Sequence, residues 1–157
     1  MRTRRLLSLF ALVTAITAPA CERLASRAPA FDGVADTKDL MRGVVQPAAA
    51  VYWNSVATTI TERGTEERQP RTDAEWQAVW GAALTLAESG NLLMIPPRAQ
   101  SDDSWTTMAG GMVAAGRRAA AAARDRKPED VLAAGEQIYT ACTRCHTKYL
   151  VDVTVTP

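Results

Sequence analysis

The sequence predicts an all-α protein, an antiparallel four-helix bundle, and three observations carry that prediction. Apolar residues recur at threes and fours through four successive segments. Capping residues, glycine or proline punctuate those segments. No stretch shows a convincing alternation of strands. At 157 residues, with 47% hydrophobic and 22% charged side chains, the chain falls in the ordinary globular range, which excludes disordered and fibrous classes. It is long enough for one core.

The first twenty residues, MRTRRLLSLFALVTAITAPA, have a basic start, an apolar run from Leu6 to Ile16 and then small residues, the pattern of a secretory signal. The run is too short to span a bilayer comfortably. A lysine and an aromatic are missing after the arginine pair, so general export is expected rather than a twin-arginine route. Export places the mature chain in an oxidising compartment. The stretch APAC fits two cleavage enzymes. Ala18 and Ala20 satisfy the ordinary small-x-small rule, while small residues before Cys21 resemble a bacterial lipobox. Lipidation of Cys21 would remove a free thiol able to mispair in an oxidising compartment; otherwise Cys21 is cut off or left without a role. Loss of Arg2, Arg4 and Arg5 from the 18 basic residues leaves 15 against 17 acidic ones, so charge gives no reason to expect a nucleic-acid partner.

Residues 21 to 35 read as a tether, and residues 36 to 157 as the helical domain. The first helix is expected from Asp36 or Thr37, with Met41, Val44, Val45, Ala48, Val51, Tyr52, Val56 and Ile60 forming one stripe that ends near Gly64. Pro47 interrupts it. Proline should kink the helix or lengthen the bond owed to the Gly43 carbonyl, unless the helix proper starts there. Thr72 with Glu75 forms a capping box for the second helix, which carries Trp76, Val79, Trp80, Ala83, Leu84 and Ala87 and is expected to end at Gly90. NLLMIPPRAQ reads as a loop. The third helix is expected from Ser101 to Ser104 toward Lys127, through an alanine-rich run that lets neighbours approach closely. Pro128 suits the first position of the fourth, with Glu129 and Asp130 favourable at its positive end.

That fourth helix carries C-T-R-C-H. Val131, Gly135, Ile138, Cys142, Cys145, His146 and Tyr149 fall on one face, and His146 is the chain's only histidine. Two thiols at this spacing can reach the two vinyl groups of one haem as thioethers, and the adjacent imidazole can offer a nitrogen to its iron. Zinc would need a fourth protein ligand, and a thioredoxin-like pair would need a βαβ setting. A plain disulfide is the third alternative. Export, motif and a lone histidine together favour covalent haem c, one per chain.

A four-helix pattern with C-x-x-C-H on its last helix resembles the cytochrome c-prime superfamily over roughly residues 36 to 150. The resemblance implies two branches. In one, a methionine early in the first helix occupies the sixth position of the iron and the protein carries electrons; the stretch KDLMRGVV resembles that branch and places Met41 there, near Lys38 and Arg42. In the other, an apolar residue leaves iron open to nitric oxide or carbon monoxide. On spacing alone Met41 could simply pack in a core, and Met108 and Met112, one turn apart on the third helix, compete with it as ligands, while Met94 lies in the loop. The superfamily commonly carries an aromatic and then a basic residue after the motif; Tyr149 matches the aromatic and Leu150 departs from the pattern, which weakens the gas-binding branch. The implied protein is a periplasmic, lipid-anchored electron carrier, not an enzyme, whose partners are redox proteins of the bacterial cell envelope. A homodimer is also implied. Trp53, Trp76, Trp80 and Trp105 read as core or pocket walls. Arg117, Arg118, Arg124 and Arg126 read as a solvated face from which one could meet a haem propionate.

Overall fold

The structure is a computed structural model that describes residues 32 to 150, so the expected signal segment, Cys21 and most of the tether lie outside the described residues. The described chain is mostly helical, with one two-stranded sheet. In order it runs α1 (Thr37–Leu40), a π-helical stretch (Met41–Val45), α2 (Gln46–Trp53), β1 (Ala57–Thr61), β2 (Gly64–Arg68), α3 (Asp73–Leu93), α4 (Asp103–Asp125) and α5 (Pro128–Tyr149).

The first three stretches form one continuous rod, because the residues at both junctions keep right-handed helical angles. Asp36 caps it by accepting from the Asp39 N–H. The register slips inside the rod: the Gln46 N–H donates to the Met41 carbonyl, five residues back. Proline explains the slip physically. Pro47 has no N–H and its ring crowds the preceding turn, so the ladder accommodates one extra residue just before it. The second sequence alternative is thus met in part, since an ordinary α-helix begins at Gln46 with Pro47 in its first turn.

The rod stops at Trp53, well short of the expected Gly64. Residues 57 to 68 form an antiparallel hairpin in which Thr61 pairs with Gly64 across the two-residue loop Glu62–Arg63. Gly64 takes φ +129°, open to glycine and strained for other residues. Ile60, expected on the helix stripe, is 81% exposed on the hairpin. The β-branched run Thr58, Thr59, Ile60, Thr61 favours strand over helix and overrides the helical spacing of Val56 and Ile60.

The capping box at α3 is present in full: Thr72 accepts from the Glu75 N–H, and Glu75 accepts from the Thr72 N–H. The helix passes through Gly90 rather than stopping there and ends at Leu93. Gly90 is needed for packing, because a Cβ there would lie 2.8 Å from the Ala109 carbonyl of α4. Asp102 caps α4, and Arg126 closes it in the left-handed conformation. Pro128 opens α5 as expected, with Glu129 and Asp130 in its first turn.

Close approach of α3 and α4 forms the densest part of the core. A Cβ on Gly116 would sit 2.6 Å from the Ala87 backbone nitrogen, and Ala83, Ala115, Ala119 and Ala123 are all buried between these helices and their neighbours. Tyr52, 1% exposed, ties in the rod: its hydroxyl donates to the Val131 carbonyl at 3.2 Å and lies 3.4 Å from that of Ala119. The Trp53 indole N–H donates to the Gly135 carbonyl at 3.0 Å, lying across a glycine that has no side chain to block it. Consecutive helices run in opposite directions, since Gly90 meets Ala109 while Ala87 meets Gly116, and Arg118 meets Gln137 while Asp102 meets Lys148.

Candidate functional site

One small cavity collects the sequence-predicted residues. Met41 and Val45 of the rod, Leu93, Trp105, Met108, Ala109 and Met112 of α3 and α4, and Ala141, Cys142, Cys145 and His146 of α5 line a space of about 40 Å³. Each element places its residues for a local reason. Met41 and Val45 stand four apart on the π-helical stretch, so both turn to one side of the rod. Cys142, Cys145 and His146 occupy the last two turns of α5, at the end of the molecule where the rod begins and α4 starts. Rod and α5 run in opposite directions, and Met41 therefore meets the motif while Tyr52 meets Val131.

The two thiols are not bonded to each other. Both are half-buried, and burial raises the pKa of each above the ordinary thiol value, with the neighbouring Cys145 adding to the rise at Cys142. They are protonated at neutral pH. His146 is exposed, and among the described residues no hydrogen bond holds its imidazole. The sequence expected all three on an inward face. The thiols are turned partly inward, whereas the histidine lies on the rim, because the helix ends one turn later and leaves its last turn open to solvent.

Met41 and its two competitors, Met108 and Met112, share the cavity wall, and Met94 instead packs at the edge of the core. Among the described residues no three His, Cys, Asp or Glu side chains converge on a metal ion. The side-chain donors that the cavity gathers are two thiols, one imidazole and methionine thioethers, which could hold a metal carried in an organic ring. Two thiols could anchor such a ring, and an imidazole and a thioether could each offer a donor atom to its metal. The space is far smaller than the ring. A cavity of about 40 Å³ has room for one or two waters, so a macrocycle would enter only if the rod and α5 moved apart. A separate open groove of about 380 Å³ lies beside the far end of the rod and α5, walled by Trp53, Val56, Leu132 and Tyr139.

The chain matches no protein-family model, no curated protein and no solved structure in these comparisons.

Functional assignment therefore rests on the site. Beyond the residues read from sequence, the structure adds Asp102. Its carboxylate accepts from Lys148 Nζ at 2.7 Å, from the Tyr149 hydroxyl at 2.6 Å and from the Ser104 N–H at 2.9 Å, and the Lys148 bond foremost holds its pKa well below the usual carboxylate range. The only sequence signal for it was its suitability as a cap, which says nothing of a partner 46 residues away. Arg98 was also missed. Buried at 7% exposure, it donates to the carbonyls of Leu92 and Ala35 at 2.8 Å each and so fixes the chain's entry beside the cavity. Three arginines of the expected solvated face have partners: Arg126 pairs with Asp73 at 2.8 Å, Arg124 stacks over Trp80, and Arg118 bonds Gln137. Trp76 and Trp105 are buried as expected, while Trp53 is 41% exposed.

Proposed function

We propose that this chain is an exported monohaem c-type cytochrome of the c-prime type, a four-helix bundle that carries single electrons between redox proteins of the cell envelope. The observation that carries the proposal is the meeting of Met41 with Cys142, Cys145 and His146 across one otherwise apolar cavity. Met41, which the resemblance places as a ligand, and the motif more than a hundred positions away fall together. In this reading Cys142 and Cys145 would hold the haem covalently, and His146 and Met41 would be the ligands to its iron. The haem, when bound, supplies a one-electron iron couple, and thioether ligation favours its reduced state.

The protein's own residues do the rest. Leu93, Trp105, Ala109 and Ala141 give an apolar wall that excludes water and limits the change in solvation when charge arrives or leaves. Low-lying thiol reactivity would serve maturation, since protonated, half-buried cysteines resist forming a disulfide with one another until the ring is delivered. Export and a lipid on Cys21 belong to the same reading. A tether would keep the carrier close to membrane partners.

The test is an absorption spectrum of the full chain produced with a haem-maturation system, recorded oxidised, reduced and reduced under carbon monoxide. Sharp low-spin bands indifferent to the gas are expected. A broad high-spin spectrum that shifts with the gas would assign the open-site, gas-binding role instead. No covalent haem in the wild type, or haem retained equally by Cys142→Ser with Cys145→Ser, would sink the assignment.

A further inference from the structure

The exposed imidazole of His146 raises a physical question. A metal-bound histidine is ordinarily oriented by a hydrogen bond from its second ring nitrogen to a carboxylate or carbonyl. Among the described residues His146 has no such bond, so its direction depends on the backbone turn that carries it. That turn is the last of α5, where helices fray, and it closes with the Leu150 N–H donating to the His146 carbonyl at 2.9 Å.

The turn is nevertheless fastened from outside. Lys148 and Tyr149, two and three residues beyond His146, both donate to the same oxygen of Asp102, while its other oxygen accepts from the Ser104 N–H and fixes the carboxylate to the start of α4. The Trp105 N–H donates to the Asp102 carbonyl at 2.9 Å. Trp105 itself is buried, its indole donates to the Leu93 carbonyl at 2.8 Å, and its ring meets that of Tyr149 edge-on at 5.0 Å. One exposed carboxylate thus joins the rigid α3–α4 corner to the turn bearing the motif.

We propose that Asp102 is the positioning residue of this site, holding Lys148 and Tyr149 so that the last turn of α5 keeps His146 in one orientation toward the cavity. The role toward iron rests on the haem reading above. The fastening itself does not.

Asn is as good a helix cap as Asp, so Asp102→Asn separates the two duties of the side chain: the α4 cap survives and the charge that holds Lys148 goes. Hydrogen exchange on the full chain made without cofactor should show residues 146 to 150 exchanging about tenfold faster in Asp102→Asn, with the first turn of α4 unchanged. Lys148→Arg should behave as the wild type, and Tyr149→Phe should fall between the two. In the haem-loaded chain, Asp102→Asn should alter the spectroscopic signature of the iron–imidazole bond, which Lys148→Arg leaves in place. Wild-type exchange and a wild-type iron–imidazole signature in Asp102→Asn would overturn the proposal. If exchange quickens while the signature is unmoved, Asp102 is a structural tie only and its positioning role is overturned. A wild type that takes up no haem overturns the functional reading and the role toward iron, and the exchange result then still decides whether the fastening exists.

Discussion

Three methionines face the same cavity, and they differ in what their elements allow. Met108 and Met112 belong to α4, whose neighbours Ala109 and Ala115 are buried and whose backbone is pressed against α3, so neither can move toward the motif without disturbing the tightest packing in the molecule. Met41 stands on the π-helical stretch, one turn from the start of the rod, and is only partly buried. Met41→Ala should therefore turn the spectrum of the haem-loaded protein high-spin and allow carbon monoxide to bind, whereas Met108→Leu, a volume-conserving change, should leave the spectrum low-spin. A low-spin spectrum in Met41→Ala would remove that residue as the ligand. The motif was legible in the sequence because its spacing announces it locally; Met41 was read through a resemblance, since its place on a stripe fitted plain core packing equally well. Asp102 and Arg98 were not, because what defines them is a partner: Asp102 meets Lys148 across 46 residues, and Arg98 meets Ala35 across 63. Only the fold brings such pairs together.

Among the elements, those with strong end signals were read closely. Thr72 with Glu75 and Pro128 mark real helix starts because their bonds and angles are set within four residues. Gly90 misled for an instructive reason. Glycine at a helix end and glycine at a close helix crossing look alike in sequence, and here contact with Ala109 decided between them. The hairpin was missed because Val56 and Ile60 happen to continue the spacing of the rod, although the intervening threonines prefer extended backbone. The crossing of α3 and α4 makes a sharp contrast between two glycines. Gly116→Ala would drive a methyl into the Ala87 backbone and should cost about 1–3 kcal/mol, the usual range for overpacking. Gly81→Ala, on the same pair of helices with nothing within 4 Å of the added methyl, should stabilise by about 0.4–1 kcal/mol by restricting the unfolded chain. Urea unfolding of the two variants beside the wild type would check both signs; equal midpoints would mean the α3–α4 crossing is looser than the geometry requires.

At the scale of the whole molecule, the same property that leaves the cavity small also says how it could open. α3 and α4 are joined by alanine and glycine at backbone contact, whereas the rod is held to α5 chiefly by Tyr52 and Trp53 at its far end. The end that carries Met41 faces the motif across the cavity, with Arg98 fixing only the chain that leads into it. Elements with fewer buried contacts open at lower free energy than the core they lean on. In the chain without cofactor, amides of residues 37 to 53 should thus exchange faster than those of α3 and α4, and Tyr52→Phe, which removes the hydroxyl's bond to Val131, should widen the difference by about 0.5–1.5 kcal/mol. A ligand seated between α5 and Met41 and bonded to both ties the two elements together, and linkage requires that it suppress their further opening. Covalent haem should therefore slow exchange in residues 37 to 53 more than in α3. Protection gained equally everywhere would point to a ring held by α5 alone, with Met41 packed beside it and the sixth position of the iron left to other ligands.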